Sequence, residues 1–123
     1  MRAEKIFPSE PASVPAVRRF VAANLQYLGE AVLDRVRLAV SELATNALLH
    51  ARTDFVVCAE EDGGSVYVAV TDSGPGTPAL RDPAPDFTSL NGRGLLIVEQ
   101  LADEWGVDEE GPRKTVWFRM STA

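Results

Sequence analysis

Apolar positions recur along the chain with two different periods, and the switches between them mark its elements. From Ser13 onward, Val14, Val17, Phe20, Val21, Leu25 and Leu28 fall three or four apart, the spacing that lines one face of a helix. Ser13 is placed to cap that helix and Gly29 to stop it. A second helix is predicted from about Glu30 to His50, with Val36, Ala39, Val40, Leu43 and Ala47 facing inward. The period then changes to two. Asp54 to Glu60 (DFVVCAE) and Ser65 to Asp72 (SVYVAVTD) read as strands, and the EDGG between them as a hairpin turn. Residues 73 to 92 are rich in Gly, Pro and Asp and predict a loop. Leu95 to Ala102 predicts a short helix opened by Gly92 and Gly94. Trp105 to Glu109 and Lys114 to Met120 predict a last strand pair across EEGPR, and residues 3 to 7 a first short strand ended by Pro8.

The order is therefore strand, helix, helix, hairpin, loop, helix, hairpin. Strands joined by tight turns are antiparallel, and helices grouped on one face of such a sheet make a two-layer α+β sandwich. The expectation is a mainly antiparallel mixed sheet with its helices on one face. A doubly wound nucleotide fold needs alternating strands and helices, which this order lacks. No GxxxxGK[ST] stretch is present, so a P-loop is excluded.

Bulk properties narrow the setting. The 123 residues suit one domain, with 46% hydrophobic and 24% charged side chains. A net charge of −6 weighs against direct nucleic-acid binding, which needs clustered Lys and Arg. The single cysteine, Cys58, has no internal disulfide partner, which fits a reducing cytoplasm. No apolar run is long enough for a membrane span, and the N-terminus carries no signal core.

Three polar clusters could carry chemistry. In SELATNALLHA (residues 41 to 51) Glu42, Asn46 and His50 stand four apart, on one side of the second helix. An asparagine carbonyl oxygen is a hard ligand for Mg²⁺, and a glutamate one turn earlier can accept a proton. Alone, that stripe is better read as a solvated helix face. DSGPG (Asp72 to Gly76) follows an apolar strand. Its carboxylate can accept from an exocyclic amine and its glycines allow a flat ligand close to the backbone; alone, it is an ordinary turn. NGRGL (Asn91 to Leu95) puts glycines at a helix start, where free amides and the helix dipole suit phosphate oxygens and Arg93 can add a charged contact. Alone, it is a hinge. Together the three supply what a purine nucleoside triphosphate with Mg²⁺ needs.

The succession ExxxN, DxGxG and GxG resembles the GHKL (Bergerat-fold) ATP-binding superfamily. The wording VSELATNALLHA, GRGLLIVEQLADEWGV and KTVWF is similar, within that superfamily, to the bacterial anti-sigma-factor serine/threonine kinase group. The resemblance implies ATP and Mg²⁺ as ligands. It assigns the metal to Asn46, the catalytic base to Glu42, and the adenine amino group to Asp72 with Gly74 and Gly76 close by. The phosphate side falls to Gly92, Arg93, Gly94 and Leu95, and Thr115 assists adenine binding. An ATP lid is implied at about 77 to 91, a stretch without a lysine. The implied partners are a sigma factor and an anti-anti-sigma antagonist, in a homodimer built on the N-terminal strand and helix. Two alternatives stand beside the kinase. One is a nucleotide-responsive binding module without transfer activity. The other is a stand-alone histidine-kinase-type catalytic domain, for which the one histidine, His50, lies on the site helix rather than on a dimerising pair.

Overall fold

A computed structural model describes residues 1–50, 53–73 and 90–122, with the backbone only at 90–94. The chain runs β1 (Arg2–Phe7), α1 (Ser13–Asn24), α2 (Glu30–His50), β2 (Phe55–Asp62), β3 (Ser65–Asp72), α3 (Leu90–Leu101), β4 (Glu104–Glu110) and β5 (Arg113–Ser121). The five strands form one sheet in the order β1-β2-β3-β5-β4. Every pairing is antiparallel, so the parallel component expected of a mixed sheet is absent from the described pairs. The architecture is the expected α+β sandwich.

Alternation sorts each strand onto two faces. Toward the helices point Phe7, Phe55, Val57, Ala59, Val66, Val68, Val70, Val116, Phe118 and Met120, all in the hydrophobic core. Register aligns them in rows, such as Ala59, Val68 and Phe118 across three strands. Above them, α2 buries Val32, Leu33, Val36, Ala39, Val40, Leu43, Ala44 and Ala47, and α1 buries Val17 and Val21. The β2–β3 turn is made by Gly63 and Gly64 with φ of 47° and 116°, two successive positive values that ordinary side chains avoid and that match the twist of a hairpin.

Helix ends depart from the sequence reading in three places. Ser13 does not cap α1; it is buried, and its hydroxyl donates to the Pro8 carbonyl at 2.6 Å, which ties the strand exit to the helix start. Helix α1 ends at Asn24, and Leu25 and Leu28 pack on the core from the turn that follows. Gly29 begins α2 instead of stopping α1, its carbonyl accepting from Leu33 N–H at 3.0 Å. Helix α3 opens at Leu90, so Asn91 to Gly94 are helical and not the loop that their glycines predict.

The face turned away from the helices is closed by an aromatic and cationic stack. The Tyr67 and Trp117 rings lie 5.9 Å apart, with the Arg119 guanidinium 5.2 Å and 5.8 Å from the two. Gly106 sits under Trp117, where a Cβ would come within 2.9 Å of the ring.

Candidate functional site

The polar groups that the sequence singles out lie on α2, β3 and α3. Helix α2 packs against both β3 and α3; Asn46 stands near its C-terminal end, and β3 ends in Asp72. Asn46 is 9% exposed and its Oδ1 has no hydrogen-bond partner. Such an atom costs free energy unless something outside the chain satisfies it. Asp72 is buried as the last residue of β3. Glu42 stands one turn before Asn46 and is half-buried; His50 ends the helix, also half-buried. Thr53, just beyond α2, has a buried hydroxyl without a partner.

At the start of α3 the first-turn amides, including that of Gly92, have no intrahelical acceptor. Gly94 lies a turn further in. Leu95 is half-buried and packs against the core, so its side chain anchors the helix. Gly74, Gly76 and the expected lid through residue 89 lie outside the described residues, as does the Arg93 side chain.

Thr115 falls elsewhere. In register Thr115 is opposite Thr71, and Asp72 is opposite Lys114. Successive strand residues face opposite sides, so Thr115 points away from the helices while Asp72 points toward them. The Thr115 and Thr71 hydroxyls are 2.8 Å apart. With Tyr67, Asp108, Glu110 and Arg113, Thr115 lines a hollow of about 370 Å³ on the open face. There burial pushes the Tyr67 phenol up from its ordinary range, and the nearby Cys58 and Asp108 add to the shift. The residue that does share a side with Asp72 is Lys114, 5% exposed. The sequence reading passed over it. Its signal was the parity of KTVWFRM, in which Lys114 alternates in step with Val116, Phe118 and Met120.

The donor set fits a nucleotide with Mg²⁺. Among the described residues no three His, Cys, Asp or Glu side chains converge as a metal cage. Mg²⁺ needs only one or two protein oxygens when phosphates and water supply the others, and the unpartnered Asn46 Oδ1 is such an oxygen. A buried carboxylate for an amine and a helix N-terminus for anions complete the set.

An antiparallel sheet with its helices on one face, α2 packed against both β3 and α3, defines a two-layer α+β sandwich. Residues 7–120 match the family model of the histidine kinase-like ATPase domain, and the chain belongs to that family. An uncharacterised protein of Streptomyces coelicolor is 38% identical over 53 residues, which are 43% of this chain and 50% of that protein. The match thus spans half the length of that curated relative. Among solved structures, the RsbU and RsbW domains of Rv1364c from Mycobacterium tuberculosis superpose with a TM-score of 0.76 at 19% identity, over 98% of this chain and 32% of that one. The histidine kinase AdeS of Acinetobacter baumannii superposes with 0.59 at 14% identity, over 98% and 68%. At such identities the superpositions speak for the fold.

Proposed function

We propose that the chain binds ATP with Mg²⁺ between α2, the end of β3 and the start of α3, and uses it as an anti-sigma regulatory factor. In this reading it phosphorylates a serine or threonine of an anti-anti-sigma protein in the cytoplasm and holds a sigma factor as a homodimer. The observation that carries the nucleotide site is the buried, unpartnered Asn46 Oδ1, on the helix that packs against β3 and α3. The structural likeness to a chain containing an RsbW domain supports the regulatory setting.

Asn46 would hold Mg²⁺, whose charge offsets that of the phosphates. Asp72 accepts the purine amino group, with Gly74 and Gly76 allowing close approach. The free amides at the start of α3, with Gly92, Arg93 and Gly94, take phosphate oxygens. Glu42 receives the hydroxyl proton of the acceptor residue as its oxygen bonds to the γ-phosphorus and the bond to the β-phosphate oxygen breaks. Thr115 has no direct part on the open face; its hydroxyl, paired with Thr71, holds the β3–β5 register that sets Asp72.

Calorimetric titration with ATP and Mg²⁺ tests the site. Wild type binds in a magnesium-dependent manner, and Asn46→Ala and Asp72→Asn abolish it; unchanged binding in both variants overturns the reading. Label transfer from ATP to a cognate antagonist tests the kinase. Glu42→Ala loses transfer and keeps ATP affinity. A second reading, a nucleotide-responsive binding module without transfer, is favoured by the absence of lysine between residues 77 and 91, which withholds a cation from the transferred phosphate. Partner binding that responds to ATP and survives Glu42→Ala selects it.

A further inference from the structure

The described residues hold one buried lysine, and the nucleotide site proposed for the chain does not use it. Lys114 is 5% exposed and sits on the helix-facing side of β5. Its cross-strand neighbours on that side are Asp72 on β3 and Glu109 on β4. Lysine is almost never buried to this degree unless a partner holds its charge. A lysine needing only a counter-ion would take Glu109, which is exposed and free to turn. No ion pair of Lys114 with Glu109 or with Asp72 forms among the described residues. The stem is packed against the interior, and among the described residues no hydrogen bond or ion pair of the ammonium is formed.

Opposed side chains in an antiparallel pair start from Cβ atoms about 4.5–5.5 Å apart. Asp72 and Lys114 therefore present an acceptor and a donor side by side to whatever enters between them. The Watson–Crick edge of adenine carries the complement on adjacent atoms, an amino donor at N6 and a ring acceptor at N1.

We propose that Lys114 is a base-selecting residue, donating from its ammonium to the purine N1 while Asp72 accepts from the amino group. The inference rests on Asp72 as the purine acceptor. It adds that the base is read as a donor–acceptor pair, which a carboxylate alone cannot do. It also gives the ammonium an acceptor that the described residues do not supply. A 6-oxopurine reverses donor and acceptor along the same edge and is rejected.

The experiment compares ATP with 1-deaza-ATP, which has C–H in place of N1, on wild type and Lys114→Met by calorimetry with Mg²⁺. Wild type prefers ATP over 1-deaza-ATP by about tenfold or more, the worth of a hydrogen bond to a charged group. Lys114→Met loses that factor for ATP and binds the two analogues alike. If the Met variant does not fold, judged by its melting curve, Lys114→Gln is used: it keeps an N–H donor and a similar stem, and retains part of the preference. A Met variant that still prefers ATP over 1-deaza-ATP overturns the proposal. So does one weakened equally toward both by comparison with a wild type that does not discriminate, because that lysine would be reading phosphate. Asp72→Asn separates the two layers of the argument. If it binds ATP as wild type does, the base site itself is misplaced, whatever Lys114 does.

Discussion

Replacing Asn46 with leucine should make the ligand-free protein more stable while removing its function. Leucine matches asparagine in side-chain heavy atoms and in its branch at Cγ, and position 46 lies on α2 between Leu43 and Ala47, both in the core. The wild-type side chain keeps an amide oxygen out of water with no partner, at a cost of about 1–3 kcal/mol. Leucine removes that cost and is the better helix former by roughly 0.5 kcal/mol. Two methyl groups on a tetrahedral Cγ, bulkier than the flat amide, have to be fitted into a packed interior, which takes part of the gain back. The net expectation is a rise of about 1–2 kcal/mol in unfolding free energy. With an unfolding entropy of about 2.1 cal/mol/K per residue, that is a Tm higher by about 4–8 °C. Magnesium ATP reverses the order. At a hundred times its Kd, a ligand that binds only the folded state adds about 2.7 kcal/mol to wild type, and it adds nothing to the variant. Thermal melts of both proteins, with and without Mg-ATP, provide the assay. A leucine variant less stable than wild type without ligand would show that the Asn46 oxygen carries no penalty. Equal stabilisation of the two proteins by Mg-ATP would show that it holds no metal.

Two further outcomes follow from the open face of the sheet. Gly106→Ala sets a methyl within 2.9 Å of the Trp117 ring, which Tyr67 and Arg119 hold in place; overpacking of this kind costs about 1–3 kcal/mol, read by urea unfolding. A variant as stable as wild type would mean that the stack shifts freely. Burial pushes the Cys58 thiol above its ordinary value, with the Glu4 and Glu60 carboxylates adding and Arg2 opposing. A raised pKa means that the folded state holds the proton longer than the unfolded chain. That stability is complete below the ordinary thiol pKa and is lost as pH rises through the raised value. Urea midpoints measured on either side of that window should fall more for wild type than for Cys58→Val, and equal falls would refute the assignment.

The legible parts of this chain were those where a long period met a clear boundary. Helix α2 lies at Glu30–His50 as its spacing predicts, because many core residues at the helical period outvote the polar stripe that interrupts them. The β2–β3 hairpin is equally plain, since Gly63 and Gly64 supply both positive φ values. Local preference misled where tertiary packing overrode it. Two glycines at 92 and 94 weaken a helix by about 1 kcal/mol each, yet Leu95 and Val98 are seated on the core and α3 reaches back to Leu90. Leu25 and Leu28 continue a helical spacing, but they reach the core from a turn. The site itself turned on a single residue. A one-place step along β5 reverses the face, so Lys114 and not Thr115 shares the helix-facing side with Asp72, and only the register with β3 decides between them.

Among the described residues the buried polar side chains are Ser13, Asn46, Asp72 and Lys114, and Ser13 is satisfied by Pro8. Of the other three, Asp72 and Lys114 stand opposite each other on β3 and β5, and Asn46 lies on α2, which packs against both strands. At the far end of the same sheet the β3–β5 pair that corresponds to Asp72 and Lys114 is Val66 opposite Met120, both apolar and buried. A core able to fill one end of the sandwich with aliphatic side chains has no packing need to place an amide, a carboxylate and an ammonium at the other. A buried polar group lowers the stability of the empty fold unless its hydrogen-bonding capacity is met, and the Asn46 Oδ1 is one whose capacity is not met. A ligand that meets it gains what the empty protein forgoes, and it gains most if it carries a metal-bound anion. Stability and affinity therefore draw on the same atom here, and variants at position 46 should trade one for the other.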